Sequence, residues 1–408
     1  MKLKQYLKYK ESGVQWIDKI PESWTVKRGK FNYEIIGKTN IPASEGEDDG
    51  KYPFFTSGKN IKFIDKSIIK GEFIIVGDGG IPNFEYYNGV FSYSDHCFLL
   101  RINKNNYTKF LYYYLLGKLD VLDALCFQGM GLRNLEKYSF NSFVSCWPPK
   151  EEQFIIASFL DKKISEINNL LKKDKKLIEL LKEKRIVLIN HIVTKGLNQK
   201  VKLKDSEIKW IGKIPEGWEV KKLKYFADEI KEKNVSDEKD IYLGLENIES
   251  FTCKILNYED SNNIEGESIR FNENDILFGK LRPYLSKVTI MNKTGCCSSE
   301  LIVYKSKRIT YPKFLMYKLI SKSYIDYVNS LTYGVKMPRA DPVFLLNIKH
   351  ALPSKLEQIK IAEYLDKATS KIDQTIQKIE KKIELLEEYK KSLIHHVVTG
   401  KVDVGEEK

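Results

Sequence analysis

Two blocks of this 408-residue chain occur twice in the same order, and that duplication limits the possible folds more tightly than any composition figure. Trp16-Ile17-Asp18-Lys19-Ile20-Pro21-Glu22-Ser23-Trp24 returns as Trp210-Ile211-Gly212-Lys213-Ile214-Pro215-Glu216-Gly217-Trp218, an offset of 210 − 16 = 194 residues. A second block, Pro148 to Thr194, returns as Pro353 to Thr399, with Glu152-Gln153 matching Glu357-Gln358 at an offset of 358 − 153 = 205. Inside it Leu160-Asp161, His191 and Val193-Thr194 recur as Leu365-Asp366, His396 and Val398-Thr399. The unequal offsets show that the segments between the blocks have diverged in length as well as in sequence. Each unit is therefore a variable, aromatic-rich part followed by a charged helix former.

In the variable parts, short β-rich runs alternate with turn signals, as in Glu72-Phe73-Ile74-Ile75-Val76 before Gly77-Asp78-Gly79-Gly80, or Leu301-Ile302-Val303-Tyr304 after a Gly/Cys/Ser turn. Phe110 to Leu116 and Phe314 to Leu319 read as helices, so these parts are expected to be mixed α/β. The helix formers carry a four-three spacing. In the first copy it runs Leu160, Ile164, Ile167, Leu171, Asp174, Ile178, Leu181, Arg185, Leu188, Ile192; in the second, Leu365, Thr369, Ile372, Ile376, Ile379, Ile383, Leu386, Lys390, Leu393, Val397. A period of 3.5 sustained this long predicts supercoiled helices meeting along a stripe. One helix leaves the first variable part and the other leaves the second, so two matched stripes pair most simply as an antiparallel coiled coil. Arg185 and Lys390 occupy the same seam position, where a charge costs stability and sets register or partner choice. Runs such as Lys172 to Lys176 read as solvated helix surface.

Lys and Arg number 68 against 55 Asp and Glu, a formal charge of +13 that favours a polyanionic partner. The six cysteines show no C-x-x-C spacing, and five scattered histidines offer no zinc corner, so no metal site is expected. No apolar run resembles a signal peptide or membrane span, and a cytoplasmic location is expected.

Specific DNA contact needs cations for phosphate and fork-shaped or amide side chains for base edges. Following the strand-like Asp275 to Phe278, the segment Gly279-Lys280-Leu281-Arg282-Pro283-Tyr284-Leu285-Ser286-Lys287 offers Lys280, Arg282, Tyr284 and Lys287. Near the end of each variable part a glycine precedes a basic residue: Gly129 with Arg133, and Gly334 with Lys336 and Arg339. Glycine lets backbone approach a ligand closely. Lys59, Asn60, Asp78, Tyr93, Ser94 and His96 occupy polar or aromatic turns and complete the candidates.

Catalytic machinery is not visible. Gly77-Asp78-Gly79-Gly80 matches neither nucleotide-loop spacing, and no H-E-x-x-H or G-x-S-x-G occurs. Asp341-Pro342-Val343-Phe344 lacks the second proline of the acidic Pro-Pro-aromatic motif that holds a target base in amino-methyltransferases. His191 and His396 stand at helix ends, where C-terminal charge or packing is their expected role.

The Trp-Ile-x-x-Ile-Pro-x-x-Trp openings, the closings Pro148 to Ala157 and Pro353 to Ala362, and the two Leu-Asp pairs resemble specificity subunits of type I restriction-modification systems. The resemblance spans nearly the whole chain. It implies target-recognition domains at 1–147 and 197–352, helical spacers at 148–196 and 353–400, and a tail at 401–408. It further implies a chain that neither methylates nor cuts but reads a bipartite double-stranded DNA target, one half-site per domain. Two modification subunits would dock on the helices and methylate adenine with S-adenosylmethionine after base flipping. Restriction subunits would add ATP- and Mg2+-dependent translocation and cleavage, with no cofactor in this chain. The Gly-Leu-Arg-Asn order at 131–134 is not kept around Lys336-Met337-Pro338-Arg339, which places the equivalence of Arg133 and Arg339 in doubt. Competing readings are a coiled-coil scaffold with two protein-binding heads, and a DNA adenine methyltransferase.

A helix of forty residues reaches roughly 60 Å, against roughly 34 Å for one turn of B-DNA. Strut length would then set the unread gap between half-sites. Lengthening both helices by one heptad is expected to change the gap selected from a duplex library; an unchanged gap counts against the ruler.

Overall fold

The computed structural model describes residues 4–131, 133–233, 241–260, 267–332, 334 and 336–405. Contacts divide the chain into two compact units, Met1–Asp174 with Lys381–Lys408, and Lys175–Glu380. Each holds mixed strands and short helices together with segments of both long helices, Lys150–Lys195 and Lys355–Val398.

The first unit's sheet has six strands in the order Tyr33–Ile36, Cys97–Ile102, Ile69–Gly77, Asn83–Tyr93, Tyr52–Phe55, Lys62–Ile64. Alternation along its central strands supplies two cores: Ile74, Val76, Phe98 and Leu100 join the main one, whereas Phe73, Ile75, Cys97 and Leu99 join a smaller one on the other face. Tyr52–Phe55 lies parallel to Asn83–Tyr93, and the remaining pairs are antiparallel. In the second unit the same pairings are split between two four-stranded sheets. Ala227–Ile230, Leu301–Ser306, Ile276–Gly279 and Val288–Ile290 form one; Glu259–Asp260, Ile241–Leu243, Gly295–Ser298 and Ser268–Phe271 form the other. The single long strand Asn83–Tyr93 thus has two short counterparts, interrupted by the turn at Asn292 to Thr294. The six cysteines remain thiols, five of them buried.

The repeated motifs build the joint between each head and its helix. Buried Trp24 donates its indole N–H to Glu152 Oε1 at 2.8 Å, and Trp218 to Glu357 Oε1 at 3.2 Å. Gln153 accepts from Tyr107 N at 2.8 Å and donates to Pro148 O at 2.9 Å; Gln358 does the same with Tyr311 N and Pro353 O at 2.8 and 2.9 Å. Asp161 accepts from Lys109 Nζ at 2.6 Å and Tyr113 OH at 2.8 Å, tying the helix Thr108–Leu116 to the long one. Asp366 accepts from Lys313 at 2.6 Å and Tyr317 at 2.7 Å, tying Pro312–Ile320 in the same way.

Within each unit the long helices pack antiparallel. In the first, Asn168 accepts from Lys390 at 2.8 Å and buried Asp174 from Lys382 at 3.1 Å, so numbers rise on one helix as they fall on the other. Leu160, Ile164, Ile167, Leu171, Leu393 and Val397 enter its core, with Ile383 and Leu386 partly buried beside them. In the second, Ile192 and Leu365 enter the core, Ile372 and Ile376 are buried, and Leu188, Ile178, Leu181 and Ile379 are half-buried. Thr369 bonds its own helix at Leu365 O, 2.7 Å away.

Lys318 is a charge inside this core. It is 2% exposed and donates to Val193 O at 2.9 Å, capping one of the carbonyls that the end of the helix Lys150–Lys195 leaves unpaired. Burial pulls its ammonium down from 10.5 to about 7. The unfolded chain therefore holds more protons than the folded one between those values, and this group makes stability rise with pH across that window. Lys318→Met is expected to be more stable than wild type at pH 7, with the advantage shrinking toward pH 10 by at most about 1.4 kcal/mol per pH unit. Denaturant titrations of both proteins read that difference, and a pH-independent difference would refute the buried ammonium.

Candidate nucleic-acid interface

In the second unit, tertiary structure brings together two basic segments far apart in sequence. The strand Ile276–Gly279 runs out at Lys280, and Leu281 then forms an isolated antiparallel bridge with Arg339. Ala340 N donates to Lys280 O at 2.9 Å and Arg282 N donates to Pro338 O at 2.7 Å, closing a clamp of two loops. Arg282 has φ 50° and ψ 61°, in the left-handed region that side chains seldom adopt. Pro283–Leu285 follows as a single 3-10 turn, and Ser286 is left-handed again at φ 50°.

Arg282, Tyr284 and Lys336 are exposed at this clamp and Lys280 is half-exposed. Arg339 is exposed too, held at 2.8 Å by Glu300, a partner that the sequence did not mark. Lys287 differs: it is half-exposed and its ammonium donates to Leu245 O at 2.6 Å within the unit. Gly334, at φ 95°, needs its missing side chain to hold that backbone. Asp341 caps the short helix Pro342–Asn347, accepting from Val343 N at 2.7 Å and Phe344 N at 3.1 Å. Asp-Pro-Val-Phe is thus a helix start.

The first unit repeats the clamp with other side chains. Gly79 bridges Asn134, Gly80 N donates to Arg133 O at 2.8 Å, and Leu135 N donates to Asp78 O at 2.8 Å. The bridge aligns Asn134, not Arg133, with Arg339. Arg133 is half-exposed, donating to Asp123 Oδ2 at 2.8 Å and Phe127 O at 2.9 Å. Asp78 is buried against Lys38, with His96 Nδ1 at 3.4 Å; it organises two exposed side chains, one ammonium and one imidazole, and does not itself face outward.

Tyr93 and Ser94 do not reach the surface. Both side chains are buried, Tyr93 donating to Gly37 O at 2.8 Å, because the end of strand Asn83–Tyr93 pairs with Phe55 inside the sheet and Tyr93 joins the smaller core. Lys59 and Asn60 are exposed on the turn after Tyr52–Phe55, whose Gly58 O accepts from Asn83 Nδ2 at 3.0 Å. Gly129, at φ 139°, opens the hairpin loop that carries the fully exposed Met130. Leu132 and Val335, which follow Gly131 and Gly334, lie outside the described residues. Ile81 and Met130 were not singled out in the sequence, since an exposed apolar residue is ordinary until its neighbours are known.

Chemically, the second clamp presents guanidinium forks and ammonium groups suited to base edges and phosphates. Among the described residues, no cluster of three His, Cys, Asp or Glu side chains could hold a metal ion, and no helix is long and apolar enough to cross a membrane.

Comparison with known proteins agrees with the duplication. The chain is 29% identical to the type I restriction enzyme MjaVIII specificity subunit of Methanocaldococcus jannaschii, over 97% of each chain. It is 24% identical to the type I restriction enzyme EcoDI specificity subunit of Escherichia coli, over 88% of this chain and 84% of that one. Its fold resembles a chain from a structure of complex assembly and conformational transition in the type I R-M system, with TM-score 0.70 and 14% identity over 94% of this chain and 99% of that chain. The HsdS subunit from Thermoanaerobacter tengcongensis gives TM-score 0.54 at 12% identity, over 94% and 98%. The model of the type I restriction modification DNA specificity domain matches residues 21–180 and again 215–385, so the chain belongs to that family and carries its domain twice.

Proposed function

We propose that this chain is the non-catalytic, DNA-reading subunit of a type I restriction-modification complex, each unit reading one half of a bipartite duplex target through its two-loop clamp. The observation that carries the reading is the clamp itself: Leu281 bridged to Arg339 in one unit and Gly79 to Asn134 in the other, each on a copy of the specificity domain. Sharing a backbone frame while exchanging its side chains is what two readers of different sequences require. In the second unit Arg282 reads a base edge while Lys280 and Lys336 neutralise phosphate. In the first, Lys59, Asn60, Lys38 and His96 flank the clamp.

Modification subunits would dock on the long helices. Beyond the buried seam, Leu177, Leu180 and Val187 of the second unit and Leu385 and Tyr389 of the first are exposed at helical spacing. Unpartnered apolar stripes of this kind fit a protein partner. S-adenosylmethionine, ATP and Mg2+ belong to the modification and restriction subunits, and the chain works where those subunits and DNA are found, in the cytoplasm.

Binding of labelled duplex by the assembled complex, measured across a salt series, tests this. Arg282→Ala is expected to cost about 1–3 kcal/mol and to relax specificity at one position of one half-site. Lys336→Ala should weaken all sequences alike and reduce the magnitude of the log-log salt slope by about 1. A complex that binds no duplex, as a protein scaffold would not, overturns the reading.

A further inference from the structure

We infer that Arg185, on the first long helix, is a positioning residue for the turn that carries Arg282, so that the helix and not the head alone sets the second unit's reading loop. The inference rests on the reading of Arg282 as a DNA contact.

Arg185 is 5% exposed at a seam position where an apolar residue would pack. Its guanidinium faces three ways. Nη2 donates to Thr252 O at 2.8 Å, Nη1 donates to Phe251 O at 2.5 Å, and Nε lies 3.2 Å from Asp373 Oδ1 on the second long helix. The other oxygen of Asp373 holds Lys254 at 2.9 Å, so one fork and one carboxylate fasten the loop 249–254 to the helix pair. A cavity of about 410 Å3, lined by Lys182, Phe251, Lys254 and Ile376 among others, lies beside this loop. On that open side the fork holds Phe251 and Thr252, while Cys253 packs against the core on the other.

From the loop the connection continues by single hydrogen bonds. Phe251 N donates to Ser286 O at 3.2 Å, Ser286 N to Pro283 O at 2.8 Å, and Leu285 N to Arg282 O at 2.9 Å. Thr289 Oγ1 braces Cys253 O at 3.0 Å. Among the described residues six non-glycine residues have positive φ, and four lie on this path: Phe251 and Cys253 at 64°, Arg282 and Ser286 at 50°. Such conformations persist only where the surroundings impose them, and they concentrate at functional sites. In the first unit, Lys390 occupies the matching seam position and spends its ammonium on Asn168 across the helix pair. Control by the helix is thus specific to the second reader.

The test uses the full chain with its modification subunits and compares Arg185→Lys, Arg185→Met, Arg282→Ala and the Arg185→Lys/Arg282→Ala double variant. Arg185→Lys keeps a cation beside Asp373 but removes the fork. It is expected to lower affinity for the bipartite target about three- to thirtyfold, with discrimination lost at the half-site that Arg282 reads and kept at the other. In the Arg282→Ala background the same substitution should add little, because both act through one turn. Should Arg185→Met fail to fold, Arg185→Lys carries the test alone. A lowered Tm with discrimination intact at both half-sites would show a purely structural role and overturn the inference. If Arg282→Ala leaves target affinity unchanged, the reading of that turn as a DNA contact falls first, and Arg185 has nothing to position.

Discussion

The structure depends on a polar joint at the start of each long helix. A glutamine in the first turn, Gln153 or Gln358, spends its amide on two backbone groups of the preceding head, and an aspartate two turns on, Asp161 or Asp366, grips a lysine and a tyrosine of a short helix. An amide and a carboxylate offer fixed directions, whereas apolar packing alone leaves rotation about the helix axis soft. Each head is therefore indexed to its helix. The tryptophan of each opening block adds the third point through Glu152 or Glu357.

Because the joint is made by the repeated residues, the segments between are free to vary. The first unit builds one six-stranded sheet and the second two sheets of four, yet both end their central strand in a loop that a later segment bridges. What varies is the chemistry at the bridge. Gly79 and Gly80 meet Asn134 and Arg133 in one copy; Leu281 and Arg282 meet Arg339 and Pro338 in the other. Backbone bonds hold the clamp, so its side chains can be exchanged without loss of the frame.

Buried charge marks where the second unit departs from the first. Position 318 is lysine where the joint-based alignment, Lys109 with Lys313 and Tyr113 with Tyr317, puts Tyr114 in the first unit; one donates to a helix-end carbonyl, and the other's hydroxyl accepts from Cys146 N. Arg185 and Lys390 diverge in the same manner, one fastening a loop and the other bridging two helices. A paired or capped buried charge costs desolvation and returns a defined geometry.

By itself the sequence determined everything carried by local period or by repetition: two copies of one frame, two long helices, the seam from Leu160 to Ile192 and its partner from Leu365 to Val397, and the mixed α/β heads. The short helices and strands it marked, Phe110 to Leu116 and Leu301 to Tyr304 among them, lie inside the observed Thr108–Leu116 and Leu301–Ser306. Those signals survive because backbone periodicity acts over a few residues. Which candidate side chains are exposed and which are engaged within the fold was decided only in three dimensions. Tyr93 and Ser94 occupied a plausible turn and are buried; Arg133 matched a basic motif and is half-exposed beside Asp123; Arg282 gains its place from Pro338 and its geometry from a path reaching Arg185. Contacts between residues fifty or a hundred positions apart leave no local pattern, since either partner alone is an ordinary surface arginine or loop carbonyl until the fold brings them together.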